Sequence, residues 1–363
     1  MSDPSRDPLR TAACELFGVR LPIVQTGMGW VSGANLTAAT SSAGGLGILA
    51  SATMTLPELR RAVAVVKERT RNPFGVNLRA DAPDVGDRVD LIIAEGVKVA
   101  SFAQAPRKDV IAKLKDHGVV VMPTIGARRH AEKVAEWGVD AVICQGGEGG
   151  GHTGTVPTSL LLPQVVDALG GADGETSIPV LGAGGFFDGR GLVAALSWGA
   201  SGVAMGTRFL LTKESRVPND IKARYLSASV TDTVVTKAVD GHPQRVIRTE
   251  VVDGLEKATP LTRFPRAARN AVEFRKMTGT PWKALVQEGL AMRKNQDLTW
   301  SQVAMAANAP MLIKATLVDG NEATGVLPTG QVTGVIDELP TVAELLERIE
   351  AEARSTLRRL TGG

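Results

Sequence analysis

Residues 141–154 read AVICQGGEGGGHTG, a short apolar run that passes directly into a glycine-rich loop and ends just beyond a histidine. The run Ala141–Gln145 has the length of a buried strand, and five of the six residues from Gly146 to Gly151 are glycine. Glycine lets main-chain N–H groups approach a ligand closely, at an entropic cost to folding. The stretch therefore predicts a strand whose end meets a ligand, with a merely flexible loop as the alternative.

Strand-length apolar runs recur along the chain and alternate with amphipathic segments such as Leu56–Arg69 and His130–Trp137. This alternation is typical of βα units and a parallel sheet. Eight fairly evenly spaced strands, with no G-x-G-x-x-G turn after the first, favour an α/β fold of the (β/α)₈ TIM barrel type over a doubly wound open sheet. The predicted strands are Pro22–Gln25, Leu46–Leu49, Phe74–Asn77, Lys98–Phe102, Val119–Met122, Ala141–Gln145, Pro179–Leu181 and Val203–Met205.

The composition excludes several classes of protein. The 41 basic and 38 acidic side chains leave a formal charge of only +3, so no nucleic-acid partner is expected. Only two cysteines occur, and the first residues lack the basic and then apolar pattern of a secretory signal, so we expect a cytoplasmic protein. Charged residues and glycines interrupt every apolar run before the roughly 18 residues of a membrane span, so no membrane partner is expected. The sequence leaves open whether the chain forms a homo-oligomer.

Three regions are predicted along the chain. Residues 15–255 would form the barrel, 256–335 a mostly helical extension covering its active-site face, and 336–363 a C-terminal helix packed on the barrel. Thr212–Pro260 shows only short β-branched runs and turn residues, and we expect irregular packing at the barrel rim. The last helix is expected at Thr341–Leu360, because acidic residues come early and arginines late, the order that the helix dipole prefers.

Two more glycine turns follow the last two predicted strands. Residues Leu181–Phe186 read LGAGGF, and Gly202–Met205 leads into Gly206-Thr207-Arg208. Loops after strands seven and eight of a TIM barrel usually hold a phosphate on main-chain N–H groups. These turns therefore predict a phosphorylated cofactor, with simple tight strand-to-helix turns as the alternative.

Taken in order, these motifs resemble the nitronate monooxygenase family, formerly called 2-nitropropane dioxygenases, whose superfamily includes the flavin-dependent enoyl-acyl carrier protein reductases. The resemblance covers roughly residues 15–212, and within the family it extends to actinobacterial members linked to catabolism of the steroid C and D rings. The motifs that carry it are Pro22-Ile23 with Met28, Ala43–Gly47, Phe74–Asn77, Gln145–Gly154, Gly182–Gly185, Asp188–Arg190, Gly206–Phe209, Leu298–Gln302 and Gly330–Gly334.

The resemblance implies an FMN site and a catalytic histidine. His152 matches the catalytic residue of the family, and an imidazole can accept or donate a proton near neutral pH. Asn77 would hydrogen-bond the flavin, Gln145 and Gly150 would contact it, and Met28 would lie near it. The cofactor phosphate would be held at the other predicted cofactor-binding residues, which are Gly184, Gly185, Ala204, Met205, Gly206 and Thr207.

The same resemblance implies an FMN-dependent oxidoreductase that uses NADH or NADPH. A cluster of basic residues in the extension would suit coenzyme A phosphates, with a solvated helix face as the alternative. Together with the resemblance to the steroid-catabolic members, it implies an acyl-CoA substrate from steroid ring catabolism. Two alternatives stay open: oxidation of alkyl nitronates with O₂, and a phosphate-binding barrel without flavin chemistry. The basic residues are Arg263, Arg266, Arg269, Arg275, Lys276, Lys283, Arg293 and Lys294.

Three other side chains receive specific expectations. Glu148 should order the glycine loop, because an ionised carboxylate readily accepts from neighbouring N–H groups. Cys144 lies inside an apolar strand and should pack there. His117, His130 and His242 do not have the spacing of metal ligands, and no metal is predicted.

Overall fold

The computed structural model describes residues 7–170, 178–258, 272 and 308–362. Within them, eight parallel strands close into a barrel, and the last strand pairs back onto the first through Ile23 with Val203 and Gln25 with Met205. The predicted TIM barrel is confirmed, and each predicted strand is found within a few residues of its expected bounds. The barrel strands are β1 (Ile23–Gln25), β2 (Leu46–Ala50), β3 (Phe74–Leu78), β4 (Val99–Phe102), β5 (Val120–Ile125), β6 (Val142–Gln145), β8 (Val180–Ala183) and β9 (Gly202–Met205).

A small antiparallel sheet lies outside the barrel and includes the strand that carries the predicted catalytic histidine. It contains β7 (Gly151–His152), β10 (Thr233–Thr236) and β11 (Gln244–Ile247), with β11 in the middle. The prediction of irregular packing over Thr212–Pro260 is wrong, because this region supplies two of the three strands and two helices. Those strands pair across long sequence separations, for which short β-branched runs give only a weak local signal.

Helices follow the barrel strands and cover the outside of the barrel. The predicted helix Leu56–Arg69 is confirmed; it starts at Thr55, whose hydroxyl accepts from the amide of Glu58 in a capping box. The described helices are α1 (Ala12–Phe17), α2 (Ala34–Ser42), α3 (Leu56–Arg69), α4 (Val85–Ala94), α5 (Lys108–Asp116), α6 (Arg128–Glu136), α7 (Thr158–Ala168), α8 (Gly189–Ser197), α9 (Thr207–Leu210), α10 (Asn219–Leu226), α11 (Glu250–Glu256), α12 (Asn308–Leu317) and α13 (Val342–Thr361), with 3₁₀ turns at Val230–Asp232 and Gln331–Val335.

The barrel interior is filled by apolar side chains, and α1 closes one end of it. Inward-facing residues of the strands, such as Ile48, Met122 and Leu181, form one buried cluster together with Phe17 of α1. The hydroxyl of Thr11 donates to the carbonyl of Ser201, immediately before β9, which places α1 at the amino-terminal ends of the strands. The opposite rim, where the strands end, is therefore left for the site, as in other TIM barrels.

Helix α13 is amphipathic and packs on the barrel helices α2 and α8. Its buried face includes Leu346 and Ile349, and a Cβ on Gly189 would lie 2.4 Å from the carbonyl oxygen of Ile349, so the two helix backbones are in close contact. The helix predicted at Thr341–Leu360 is therefore confirmed as a helix, but one side of it belongs to the core.

Most of the predicted extension, including its basic cluster and the Leu298–Gln302 motif, lies outside the described residues. Helix α12 lies in the described C-terminal part of the extension and packs with residues such as Val246 and Val252 in a separate small core. No helix in the described ranges is long and apolar enough to cross a membrane.

Close packing of β2 on α2 gives a test of the barrel. A Cβ on Gly47 would lie 2.1 Å from the carbonyl oxygen of Thr37, a backbone atom that cannot move aside freely. Gly47→Ala should therefore lower the free energy of unfolding by about 1–3 kcal/mol or more. The measurement is the urea midpoint followed by circular dichroism, which falls with that free energy. Gly86→Ala is the matched control, because no atom lies within 4 Å of its added Cβ, and it should unfold at the wild-type midpoint or above. Equal midpoints for the two variants would contradict the packing.

Candidate active site

The predicted cofactor residues converge on the rim where the barrel strands end. A Cβ on Gly27 would lie 2.3 Å from Cβ of Asn77, so the loop after β1 touches the end of β3. A Cβ on Gly206 would lie 3.4 Å from Sδ of Met28, which joins the same loop to the end of β9. Closure of the barrel brings Met28 and Gly206, 178 positions apart in sequence, onto one surface.

The glycine loop after β6 is held by several hydrogen bonds. The amide of Gly147 donates to the carbonyl of Val156 over 2.7 Å, and the amide of Gly146 donates to the carbonyl of Ala183 at the end of β8 over 3.0 Å. From β11, the guanidinium of Arg245 donates to the carbonyl of Gly147 over 2.9 Å. The alternative of a merely flexible loop does not fit these anchors.

Glu148 orders the loop, as expected. Its carboxylate accepts from the amide of Thr158 over 2.9 Å and from the hydroxyl of the same residue over 2.7 Å, at the first turn of α7. Its carbonyl accepts from the amide of Gln331 over 3.0 Å, which attaches the loop to the segment near residue 330. With all these partners, Glu148 is engaged in structure on both its side chain and its backbone.

Several glycines of the site are required either by close packing or by backbone conformation. A Cβ on Gly150 would lie 2.5 Å from backbone atoms of Thr329 and Gly330. Gly184 and Gly185 both have φ of +89°, a conformation that L side chains rarely adopt. The amide of Gly330 in turn donates to the hydroxyl of Thr207 over 2.9 Å, so the segment 329–331 links the glycine loop to the end of β9.

Main-chain amides suited to an anion remain at the ends of β8 and β9. In the described part of the chain, the amides of Gly185, Gly206 and Thr207 donate to no backbone or side-chain acceptor. Buried or rim amides without partners are costly unless a ligand or water accepts from them. This cradle fits a phosphate group, in agreement with the position of phosphate sites in TIM barrels.

Two other predicted phosphate residues, Ala204 and Met205, have side chains that pack in the core. The side chain of Ala204 packs inside the barrel, and that of Met205 packs between strands and helices. The carbonyl of Met205 accepts from the amide of Thr26 over 3.1 Å. The N-terminus of α8 is occupied, because Asp188 accepts from the amide of Gly191 and Glu352 from that of Gly189, both over 2.8 Å.

His152 lies at the edge of this rim on β7. Its carbonyl accepts from the side-chain amide of Gln145 over 2.7 Å, which ties the end of the glycine loop to the end of β6. Its Nε2 lies 2.7 Å from Oδ2 of Asp240, and 65% of its side chain is exposed. The ring of His242 meets it edge to face, with centroids 5.9 Å apart. A solvent-facing imidazole paired with a buried carboxylate can transfer a proton.

Asp240 is the candidate site residue that sequence reasoning missed. It is almost fully buried, and burial raises its pKa; the hydrogen bond from His152 and the positive potentials of His152 and His242 outweigh this effect, so the pKa of Asp240 is lowered overall. Asp240 is therefore a carboxylate at neutral pH. The only local signal was the turn sequence Asp240-Gly241-His242-Pro243, which does not reveal a partner 88 positions away.

The remaining expectations for the site concern metal and thiol chemistry. No cluster of metal-ligating side chains occurs among the residues that the structure describes. Cys144 is completely buried in β6, and burial raises the pKa of its thiol to about 12, so its packing role is confirmed.

Trp30 is a further residue of the rim with an unusual conformation. It has φ of +65°, and its indole donates to the carbonyl of Pro310 in α12 over 3.1 Å.

Comparison with known proteins agrees with the geometry. The family model for nitronate monooxygenase matches residues 10–352. Two curated relatives, from Mycobacterium tuberculosis and Rhodococcus jostii, are 61% and 59% identical over 345 residues, 95% of this chain and 96% of each relative. Both are named (3aS,4S,5R,7aS)-5-hydroxy-7a-methyl-1-oxo-octahydro-1H-indene-4-carboxyl-CoA dehydrogenase.

A solved structure of FabK from Thermotoga maritima has the same fold. It superposes with a TM-score of 0.76 at 34% identity and covers 97% of this chain and 99% of its own. The resemblance drawn from the sequence motifs is thus confirmed over nearly the whole length. The chain is an oxidoreductase that belongs to the nitronate monooxygenase family.

Proposed function

We propose that the chain is an FMN-dependent dehydrogenase that acts on a bicyclic coenzyme A thioester of steroid C/D-ring breakdown and exchanges electrons with NADH or NADPH. The observation that carries this proposal is the 61% identity, over 95% of the chain, to a relative named as the dehydrogenase of such a thioester. The substrate in that name has a fused six- and five-membered ring with an angular methyl group, which is the skeleton of the steroid C and D rings.

The rim supports FMN as the cofactor. The amides of Gly185, Gly206 and Thr207 offer hydrogen bonds to a phosphate, and the polar side chains of Asn77 and Gln145 lie on the same rim to meet the polar edge of the isoalloxazine. Bound FMN would supply a two-electron carrier between the thioester and the nicotinamide. The protein contributes a binding surface and a group that handles the accompanying proton.

His152 is the group proposed to move that proton. Dehydrogenation removes one hydride and one proton from the substrate, and the proton needs a base close to the carbon or oxygen that releases it. The imidazole is exposed to the rim, and its Nε2 is paired with Asp240, so Nδ1 is the nitrogen that faces solvent or substrate. In the reverse direction, the same atom would donate the proton to the reduced product.

The coenzyme A part of the substrate needs its own binding surface. We propose that the basic residues of the extension, from Arg263 to Lys294, hold its phosphates, because guanidinium and ammonium groups are the usual partners of phosphate. They lie outside the described residues, and the proposal rests on their number and on the position of the extension between α11 and α12.

Nitronate oxidation is the second candidate, because the matching family model is the one for nitronate monooxygenase. A nitroalkane loses a proton from carbon to become a nitronate, and His152 could accept that proton as well. The two functions differ in what reduces the flavin and what reoxidises it.

An anaerobic visible spectrum separates the two candidates. The purified protein, reconstituted with FMN, should be bleached by NADH or NADPH and reoxidised by the unsaturated or keto form of an indane carboxyl-CoA. A flavin that is indifferent to nicotinamides and is bleached by an alkyl nitronate would favour nitronate oxidation instead. A protein that binds no FMN would overturn both.

The phosphate cradle gives a prediction about FMN affinity. Gly206→Asp places a carboxylate beside the proposed phosphate, whereas Gly206→Asn adds a neutral group of the same shape. Charge repulsion should raise the dissociation constant of FMN for the Asp variant at least about tenfold above that of the Asn variant. The constants are measured by quenching of FMN fluorescence. Equal constants for the two variants would place the phosphate elsewhere.

The proton-transfer role of His152 is tested by its removal. His152→Ala should keep its FMN, because no predicted phosphate contact involves this residue, and should lose turnover by about a hundredfold or more. His130→Ala, on the exposed surface of α6, is the control and should retain wild-type turnover. Turnover that survives in the His152 variant would remove this residue from the mechanism.

A further inference from the structure

We propose that Asp240 is a positioning residue of the reaction: its carboxylate holds His152 in the tautomer with hydrogen on Nε2, so that Nδ1 is the atom that takes the substrate proton. This inference rests on the proposed function and adds to it a residue that acts through His152. Neither the family motifs nor the sequence pattern assigned a role to Asp240.

The pair joins a buried carboxylate, Asp240, to an exposed imidazole, His152. Oδ2 of Asp240 lies 2.7 Å from Nε2 of His152, and Asp240 is 5% exposed, whereas the side chain of His152 is 65% exposed. Within the described residues, Nδ1 of His152 has no hydrogen-bond partner. One ring nitrogen is therefore committed to the protein and the other is available to a ligand.

The charge state of Asp240 decides the tautomer. An ionised carboxylate has only acceptor atoms, so a neutral imidazole that hydrogen-bonds to it must carry its hydrogen on the nitrogen in contact. Although burial raises the pKa of Asp240, the hydrogen bond from His152 and the neighbouring histidines lower it overall, which keeps the carboxylate ionised at neutral pH. The lone pair of His152 is then on Nδ1, as a general base requires.

The carboxylate is itself fixed by the turn that precedes β11. Oδ1 of Asp240 accepts from the amide of His242 over 3.0 Å, and Oδ2 also accepts from the side-chain amide of Gln244. The amide of Gly241 donates to the carbonyl of Lys237, and Gly241 has φ of +92°, which makes the turn specific for glycine. The position of the Asp240 carboxylate is therefore fixed independently of the orientation of the His152 ring.

The backbone of His152 is fixed from the same side. Residue 152 pairs with Gln244 in the antiparallel ladder, and the amide of Thr153 donates to the carbonyl of Pro243 over 3.1 Å. The imidazole is thus carried by β7, and its carboxylate by the turn that leads into the paired strand β11. A single rigid unit, made of β7, β11 and the turn between residues 240 and 243, sets both the position and the tautomer of the base.

The test compares Asp240→Asn with the wild type by nitrogen NMR and by kinetics. Proteins labelled with ¹⁵N-histidine contain only four labelled residues, and His152→Gln identifies the signals of His152. Spectra are recorded on the full-length FMN-loaded protein at pH 9, where an ordinary histidine is neutral. Asp253→Asn is the matched control, because it also converts a carboxylate to an amide, but on the surface, where Asp253 pairs with Arg248.

We expect His152 to carry its hydrogen on Nε2 in the wild type and in the Asp253 control, and to shift towards the Nδ1–H form in Asp240→Asn. Turnover of Asp240→Asn should fall at least about tenfold with KM within threefold of wild type, because a base in the wrong tautomer loses its proton acceptor. A wild-type Nδ1–H form, an unchanged tautomer in Asp240→Asn, or unchanged turnover would each overturn the proposal.

The NMR result is obtained without substrate, so it stands even where the proposed substrate class fails. Retention of FMN and an unchanged urea midpoint in Asp240→Asn would show that the variant is folded. If it does not fold, Gln244→Leu gives a second route. The side-chain nitrogen of Gln244 donates to Oδ2 and also lies 3.3 Å from Nε2 of His152, so its removal leaves Asp240 as the described partner of Nε2, and the Nε2–H form should persist. Loss of that form in a folded Gln244→Leu protein would overturn the proposal as well.

Discussion

Closure of the barrel between β1 and β9 is the constraint on which the site depends. The pairing of Gln25 with Met205 brings the loop after the first strand against the loop after the last and completes the rim that carries the predicted cofactor residues. Without closure, Met28 and Gly206 would belong to opposite edges of an open sheet. The parallel arrangement adds the second condition, because only parallel strands present all of their carboxyl ends on one side.

The glycines of the rim serve two different physical purposes that look alike in a sequence. Gly150 leaves room for the backbone near Thr329, whereas Gly184 and Gly185 supply positive φ angles. Neither purpose requires a ligand by itself. What indicates a ligand is the presence, at the same place, of amides without acceptors at Gly206 and Thr207, and this can be seen only after the chain is folded.

The parts of the fold that could be predicted are those determined by the pattern of neighbouring residues in the sequence. Buried parallel strands are continuous apolar runs, so β2 and β6 were located almost to the residue, and the capped helix Leu56–Arg69 was located fully. The small sheet was missed, since β11 depends on pairing with His152 at a distance of about ninety residues and its own sequence, QRVI, is too short to indicate a strand. Asp240 was missed for the same reason.

This division has a consequence for how the family can vary its chemistry. The barrel rim holds the predicted cofactor residues, while the proposed proton-transfer pair is held by the separate sheet of β7, β10 and β11 and the turn before β11, joined to the rim through the glycine loop and Arg245. The proposed base and the predicted cofactor residues thus lie on separate units, so the residues of one unit can change while those of the other are preserved. Such a separation is one physical reason why a shared fold can carry different reactions.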